Sequence, residues 1–255
     1  MPEDENASDG WSDVAAEWSR LWGSAAEPVW REIVAAAGIQ AGVKILDVGC
    51  GGGEFLVFAR GLGAEVAGVD PAPGMRAIAV ERGLDVRDAG AELLPWPDAS
   101  FDVVTAFNAL QFADDTFDAL DEMTRVLKPG GRLVVANWAE HALSDLDAIE
   151  AALSDEDPEP DGELRVAGGL EALFEEAGLE VLSSGVTSAK WSAASDAELV
   201  RAVLLGEDAS VQRELAPTVL AAAAHLKRND GYELVNSYRW AIATHRGIPR
   251  RITNP

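Results

Sequence analysis

The 255-residue chain predicts an α/β fold built on a parallel, doubly wound sheet. Three features of the sequence predict it. Short continuous apolar runs such as "VKILDV" and "AEVAGVD" read as strands buried on both faces. Helical patterns of about ten to fifteen residues separate them, the alternation of a parallel sheet. The first run leads into "GCGGGEF", a loop of almost nothing but glycine that opens a helix, where a ligand can approach the backbone closely. The length suits one embellished domain.

Taken in order, "MPEDENASDG", residues 1–10, is acidic and polar and is expected to form a mobile tail. It is the opposite of a charged-then-apolar export signal, so a cytoplasmic location is expected. Residues 11–42 are set apart as an N-terminal helical segment, because Trp11, Val14, Trp18 and Leu21 or Trp22 recur every three to four positions up to Gly38. This aromatic face has two readings, packing against the sheet or closing over a ligand as a lid. Gly38 and Gly42 break the pattern, and residues 43–255 form the main domain. After the first strand come the helix "EFLVFARGLG", the strand "AEVAGVD", the helix "PGMRAIAVERG" and the short strand "LDVRD". The strand "SFDVVTAFN", the amphipathic helix "DTFDALDEMTRVL", the turn "KPGG" and the strand "GRLVVANW" continue the alternation. Leu153 to Glu163, acidic and proline-containing, reads as a surface loop. The helix "GLEALFEEAG" and the strand "LEVLSSGVTSAKW" follow. Ser195 to Arg228 is a mostly helical insertion with no place in a minimal sheet, after which "YELVNSYRWAIATH" returns as a long strand.

Composition excludes several classes. Hydrophobic residues make up 48% and charged residues 25%, a globular balance. No apolar run reaches the roughly 18 residues of a membrane span. A net charge of −24 argues against a nucleic-acid partner, which would need a basic face. Arg246, Arg250 and Arg251 form the one basic cluster and read as a solvated end. Cys50 is the only cysteine, so neither a disulfide framework nor a CxxC metal site is expected; inside the glycine loop it reads as a small filler.

Open α/β sheets bind ligands beyond the carboxyl ends of their strands, so the glycine loop, Asp70 and the residues after the fourth and fifth strands should share one crevice. A dinucleotide fingerprint fits poorly, because Gly49 and Gly51 are followed by Glu54 where a small residue is wanted. Four motifs in order, "LDVGCGGG", "GVD", "LPWPDASFDVV" and "RVLKPGGRLVV", make the stretch from Ile45 to Trp138 resemble the class I S-adenosylmethionine-dependent methyltransferases. The branch it is most similar to acts on small molecules, like the ubiquinone-biosynthesis C-methyltransferases. The resemblance implies a Rossmann-like, seven-stranded sheet with an antiparallel last strand, S-adenosyl-L-methionine as cofactor and a small organic methyl acceptor. It also implies roles. Gly49 and Gly51 would admit the methionine tail, Asp47 would face its ammonium, and Asp70 would accept the ribose hydroxyls while also capping the helix that starts after Pro71. Gly90 stands where relatives carry an acid for the adenine amino group, which leaves the backbone of Ala91 and Glu92, or Asp88, to meet the ring. Asn108 would line the methionine end, and Cys50, Pro71 and Met75 complete the implied cofactor contacts. Gln111 stands where many relatives have histidine.

Methyl transfer from a sulfonium depends chiefly on positioning, and a base is needed only for an acceptor protonated at its nucleophilic atom. His141, just past the fifth strand, is the catalytic candidate, with Glu140 a weaker competitor. The insertion, Ser195 to Arg228, is expected to wall the acceptor pocket, with core packing as the rival reading. Two rivals to methyl transfer keep the cofactor: cyclisation or rearrangement on the same fold, and non-catalytic sensing. A nicotinamide dehydrogenase is disfavoured by Glu54 and by the "LPWPD" and "LKPGG" signatures.

Overall fold

A computed structural model describes residues 7–154, 159–229 and 231–245. Helices α1 (Ala7–Leu21) and α2 (Glu27–Ala37) lead into strand β1 (Lys44–Val48). Then come α3 (Glu54–Gly61), β2 (Glu65–Val69), α4 (Pro73–Glu81), β3 (Asp85–Arg87), β4 (Phe101–Phe107), α5 (Thr116–Val126) and β5 (Leu127–Trp138). The second half holds α6 (Asp145–Ala151), α7 (Gly169–Glu176), β6 (Glu180–Ala193), α8 (Asp196–Val203), α9 (Ala209–Ala222), β7 (Lys227–Arg228) and β8 (Gly231–Thr244). The sheet runs β3-β2-β1-β4-β5-β8-β6, with the two-residue β7 paired to β8. The first five strands are parallel, and β8 lies antiparallel between β5 and β6. This is the doubly wound sheet with an antiparallel last strand.

Continuous apolar runs are required because both faces are covered. Along β5, Leu133 and Val135 face Leu120 and Met123 of α5, while Val134 and Ala136 face Ile33 of α2 on the other side. In β1, Leu46 and Val48 join the first group and Ile45 the second. Each buried Leu, Ile, Val or Met side chain here contributes about 1.5–3 kcal/mol by leaving water. Helix α2 belongs to the sheet's own core, with Val29, Trp30 and Ile33 packed on Val134 and Trp240.

Several boundaries differ from expectation. The single helical pattern from Trp11 to Gly38 is two helices joined by a turn over residues 22–26, in which only glycine fits at Gly23 against the Ser19 carbonyl and after which Pro28 opens a new helix. Helix α1 starts at Ala7, so residues 7–10 are helical rather than part of a tail. Residues 1–6, the Arg246, Arg250 and Arg251 cluster, and residues 155–158 of the acidic loop lie outside the described residues. The expected "KPGG" turn is absorbed into β5 as an irregularity, with a register shift between Phe101 and Val103.

The insertion is core. Ser195 caps α8 by accepting from Glu198 N at 3.2 Å, and Asp208 caps α9 by accepting from Ser210 N at 2.7 Å. Their apolar faces bury Leu199, Val203 and Val219 against Leu21, Trp22, Trp191 and Leu234. Leu199 is wholly buried in that cluster. Leu199→Ala should therefore lower the urea-unfolding free energy by about 2–4 kcal/mol in one cooperative transition. An unchanged midpoint would mean that the insertion does not share the sheet's stability.

Candidate functional site

The carboxyl ends of β1, β2, β4 and β5 open into one cleft of about 610 Å³, within the range of small-molecule sites. Its floor is the glycine loop. Gly49, Gly51 and Gly53 have φ of 68°, 53° and 81°, a conformation that side chains strain to adopt. A Cβ on Gly49 would stand 2.4 Å from the Ala109 Cβ, and one on Gly53 would stand 2.2 Å from the Leu84 side chain. At Gly51 a Cβ would meet only the Met75 sulfur, at 3.8 Å. Gly51 therefore presents bare backbone to the cleft, with Met75 beside it.

Two buried carboxylates flank this backbone. Asp47, at 3% exposure, accepts from the Thr105 hydroxyl at 2.5 Å. Burial pushes its carboxyl up to about 7, against the Thr105 bond and with help from nearby Asp70 and Glu54. Asp70 accepts from Gly51 N at 2.8 Å through one oxygen and from Ala72 N at 2.9 Å through the other. Burial raises its carboxyl, and the two amides partly offset this. The cap of α4 is Ala72, so Asp70 forms a side-chain turn over Pro71 rather than the expected helix cap. Each carboxylate oxygen retains a lone pair for a ligand hydroxyl. Cys50 is buried and its thiol is raised by desolvation first and Asp47 next, consistent with a filler.

Of the adenine candidates, Ala91 and Glu92 line the cleft together with Gly90. Asp88 does not; it is exposed and pairs with Arg76 at 3.0 Å. Asn108 also lines the cleft, held in a left-handed conformation at φ 48° while its side-chain oxygen accepts from Trp138 N at 2.9 Å. Pro71 and Met75 are part of the wall.

The N-terminal helix roofs the cleft. Trp11 and Trp18 of α1, and Trp22 just after it, line the cavity. Ser12 accepts from Gly74 N at 3.2 Å, and Ser19 bonds Glu54 at 2.5 Å while Arg82 donates to Ser19 at 2.7 Å and to Glu54 at 2.7 Å. Trp22 serves both expected roles. It stacks on Trp191 with centroids 4.5 Å apart, donates from Nε1 to Ala202 O at 3.2 Å, and still faces the cavity. None of the lining residues among those described comes from Ser195–Arg228, so the expected acceptor wall in the insertion is replaced by indirect support through Trp22.

His141 is not brought to the cleft. Beyond Ala139 the chain turns through His141–Leu143 into a charged cluster, where His141 Nδ1 lies 3.2 Å from Asp161, and Arg165 pairs with Asp147. His141, expected as the catalytic candidate, is not among the residues that line the cleft; its ring lies beside Asp161 and Asp147 instead. Glu140 is likewise committed, to Arg239. Sequence reasoning missed Trp30, Phe107 and Tyr238, which line the far half of the cleft with Trp138. Tyr238 reaches it by standing opposite Trp138 in the β5–β8 register, a long-range pairing with no local signal.

Residues 46–135 match a family model described as a methyltransferase domain. A demethylmenaquinone methyltransferase of Mycobacterium sp. is 30% identical over 175 residues, covering 63% of this chain and 75% of that protein. One of Thermus thermophilus is 43% identical over 140 residues, covering 50% and 63%. The chain spans 43% to 52% of the length of several other curated relatives it matches. Among solved structures, the YcgJ protein of Bacillus subtilis shares the fold, with a TM-score of 0.58 and 20% identity over 85% of this chain and 97% of that one.

The titration of Asp47 is testable without any ligand. Its folded value, about 7, lies above the ordinary aspartate value of 3.8, so folding takes up a proton between those values. The cost of burying the charge is absent at the acid end, grows through that window and is complete above it. Asp47→Asn keeps an oxygen for Thr105 and should stabilise the protein by on the order of 2–4 kcal/mol at pH 8, with a gain that shrinks towards pH 4. A gain independent of pH, read from urea melts, would contradict this.

Proposed function

Since the chain belongs to the class I S-adenosylmethionine-dependent methyltransferases, whose cofactor is S-adenosyl-L-methionine, we propose that it transfers a methyl group from that cofactor to a small organic acceptor. The observation that carries the proposal is the joining of two unlike halves in one cleft. One half offers bare glycine backbone between two buried carboxylates, and the other is walled by aromatic rings.

The residues present fit the cofactor. Gly51 gives the methionine tail room, and Asp47, buried and driven towards its neutral form, gains a counter-ion when an ammonium arrives. Asp70, preset by Gly51 and Ala72, has lone pairs left for the ribose hydroxyls. Ala91 and Glu92 offer the adenine ring their backbone, as Asp88 is turned away to Arg76. S-adenosyl-L-methionine held there would supply an electrophilic methyl group for the acceptor's lone pair, with S-adenosylhomocysteine as the leaving group and the acceptor's proton lost to solvent. The chain's part is to align the two partners and exclude water beneath α1. No histidine among the described residues lines the cleft, so positioning rather than histidine base catalysis is the expected source of rate.

Incubation with S-adenosylmethionine and a panel of acceptors should release S-adenosylhomocysteine together with a product heavier by one methylene unit, read by mass spectrometry. Tight binding of NAD without binding of S-adenosylhomocysteine would overturn the proposal. Asp70→Asn should weaken S-adenosylhomocysteine binding by roughly ten- to a hundredfold in calorimetry, whereas Asp88→Asn should change it less than about twofold. The reverse ranking would transfer cofactor recognition to Asp88.

A further inference from the structure

We propose that the far half of the cleft is a subsite for a flat, uncharged aromatic acceptor bearing a hydrogen-bond-accepting oxygen, and that the Tyr238 hydroxyl is the donor that orients it. The inference rests on the methyltransferase reading, which places the acceptor opposite the glycine loop.

Three observations define the ligand. The walls are aromatic: Trp138 stacks on Tyr238 with centroids 4.4 Å apart, Trp22 stands edge-on to Trp138 at 6.4 Å, and Phe107 with Trp30 closes the adjoining side. Rings bind such walls best when flat, by stacking or edge contact. The acidic groups lie elsewhere in the chain: of the carboxyl side chains that line the cleft, Asp47, Glu54 and Asp70 belong to the glycine loop and the strand ends beside it, and Glu92 and Asp114 to the loops after β3 and β4. A charged acceptor would find no counter-ion among the rings.

The third observation is an unused donor. Tyr238 is 2% exposed, and among the described residues its hydroxyl has no hydrogen-bond partner. A buried hydroxyl without a partner carries a desolvation cost that a ligand oxygen would remove. The indole Nε1 of Trp30 also lacks a partner but is sealed from solvent, whereas the Tyr238 hydroxyl is not sealed and its residue lines the cleft. Burial raises the phenol's pKa further above neutrality, so it stays protonated and acts as a donor, not as a base. Its backbone is fixed on both sides, opposite Trp138 of β5 and Thr187 of β6. Tyr238 is thus a positioning residue for the acceptor's oxygen, set on rigid strands.

The test uses two planar bicyclic probes that differ by one oxygen, 1-indanone and its carbonyl-free counterpart indane. Each is titrated by calorimetry into the full chain saturated with S-adenosylhomocysteine. The wild type should bind 1-indanone about three- to tenfold more tightly than indane, the yield of one neutral hydrogen bond. Tyr238→Phe should erase the preference by weakening 1-indanone alone, with indane and S-adenosylhomocysteine affinities unchanged. A merely structural tyrosine would shift both probes together. A preference that survives Tyr238→Phe, or no preference in the wild type, overturns the proposal. Failure of S-adenosylhomocysteine to bind, with a Tyr238-dependent preference intact in the free protein, would overturn the cofactor reading and leave the subsite standing.

Discussion

The turn from β1 into α3 can close only if its backbone enters the left-handed region three times, and the site is assembled around that constraint. Each glycine of the turn makes a different junction. Gly49 lies so close to Ala109 that the segment after β4 is brought onto the end of β1. The amide of Gly51 reaches Asp70 and so ties the end of β2 to the same turn. Gly53 packs under Leu84, at the approach to β3. One tight turn therefore sets the relative positions of three neighbouring loops. Regular secondary structure supplies the scaffold, and the absence of three side chains supplies the convergence.

The cleft is electrostatically lopsided. Asp47 and Asp70 are both raised chiefly by burial, and Asp70 adds to the rise at Asp47. Two buried acids beside each other are costly in the free protein, and that cost is what a cationic group entering the same space would relieve. The rings at the other end have the opposite requirement, since they exclude water and reward apolar surface. A ligand pair that brings its positive charge to one end and its flat apolar body to the other satisfies both.

Much of this was legible in the sequence, and what was not has a physical cause. The strands from β1 to β5, the glycine loop and Asp70 follow from local signals: apolar runs, left-handed glycines and an acid at a strand end. The motifs that carry the family resemblance run from Ile45 to Trp138, a stretch that contains the glycine loop, Asp47 and Asp70. The walls of the other half do not lie together in the chain. Trp22 and Trp30 precede that stretch and Tyr238 follows it by a hundred residues. They meet only through helix packing and strand register, which one sequence does not encode locally. His141 illustrates the converse. It is close in sequence to the end of β5, yet Asp161 and Asp147, more remote in the chain, determine where its ring rests. The break at Gly23 was similarly hidden, because an unbroken aromatic periodicity on both sides masked the close contact with Ser19.

Trp22 links the insertion to the cavity through its stacking on Trp191 and its bond to the carbonyl of Ala202. The two helices of the insertion reach ligand space through that single indole, from behind. Substitutions in α8 and α9 can thus reach the ring without altering any residue of the glycine loop or the Asp70 turn. Such a layout separates two evolutionary tasks. The glycine-loop end of the cleft and the layer behind Trp22 can change independently of one another, and a laboratory search for altered ligand preference would do well to randomise that layer before the cleft itself.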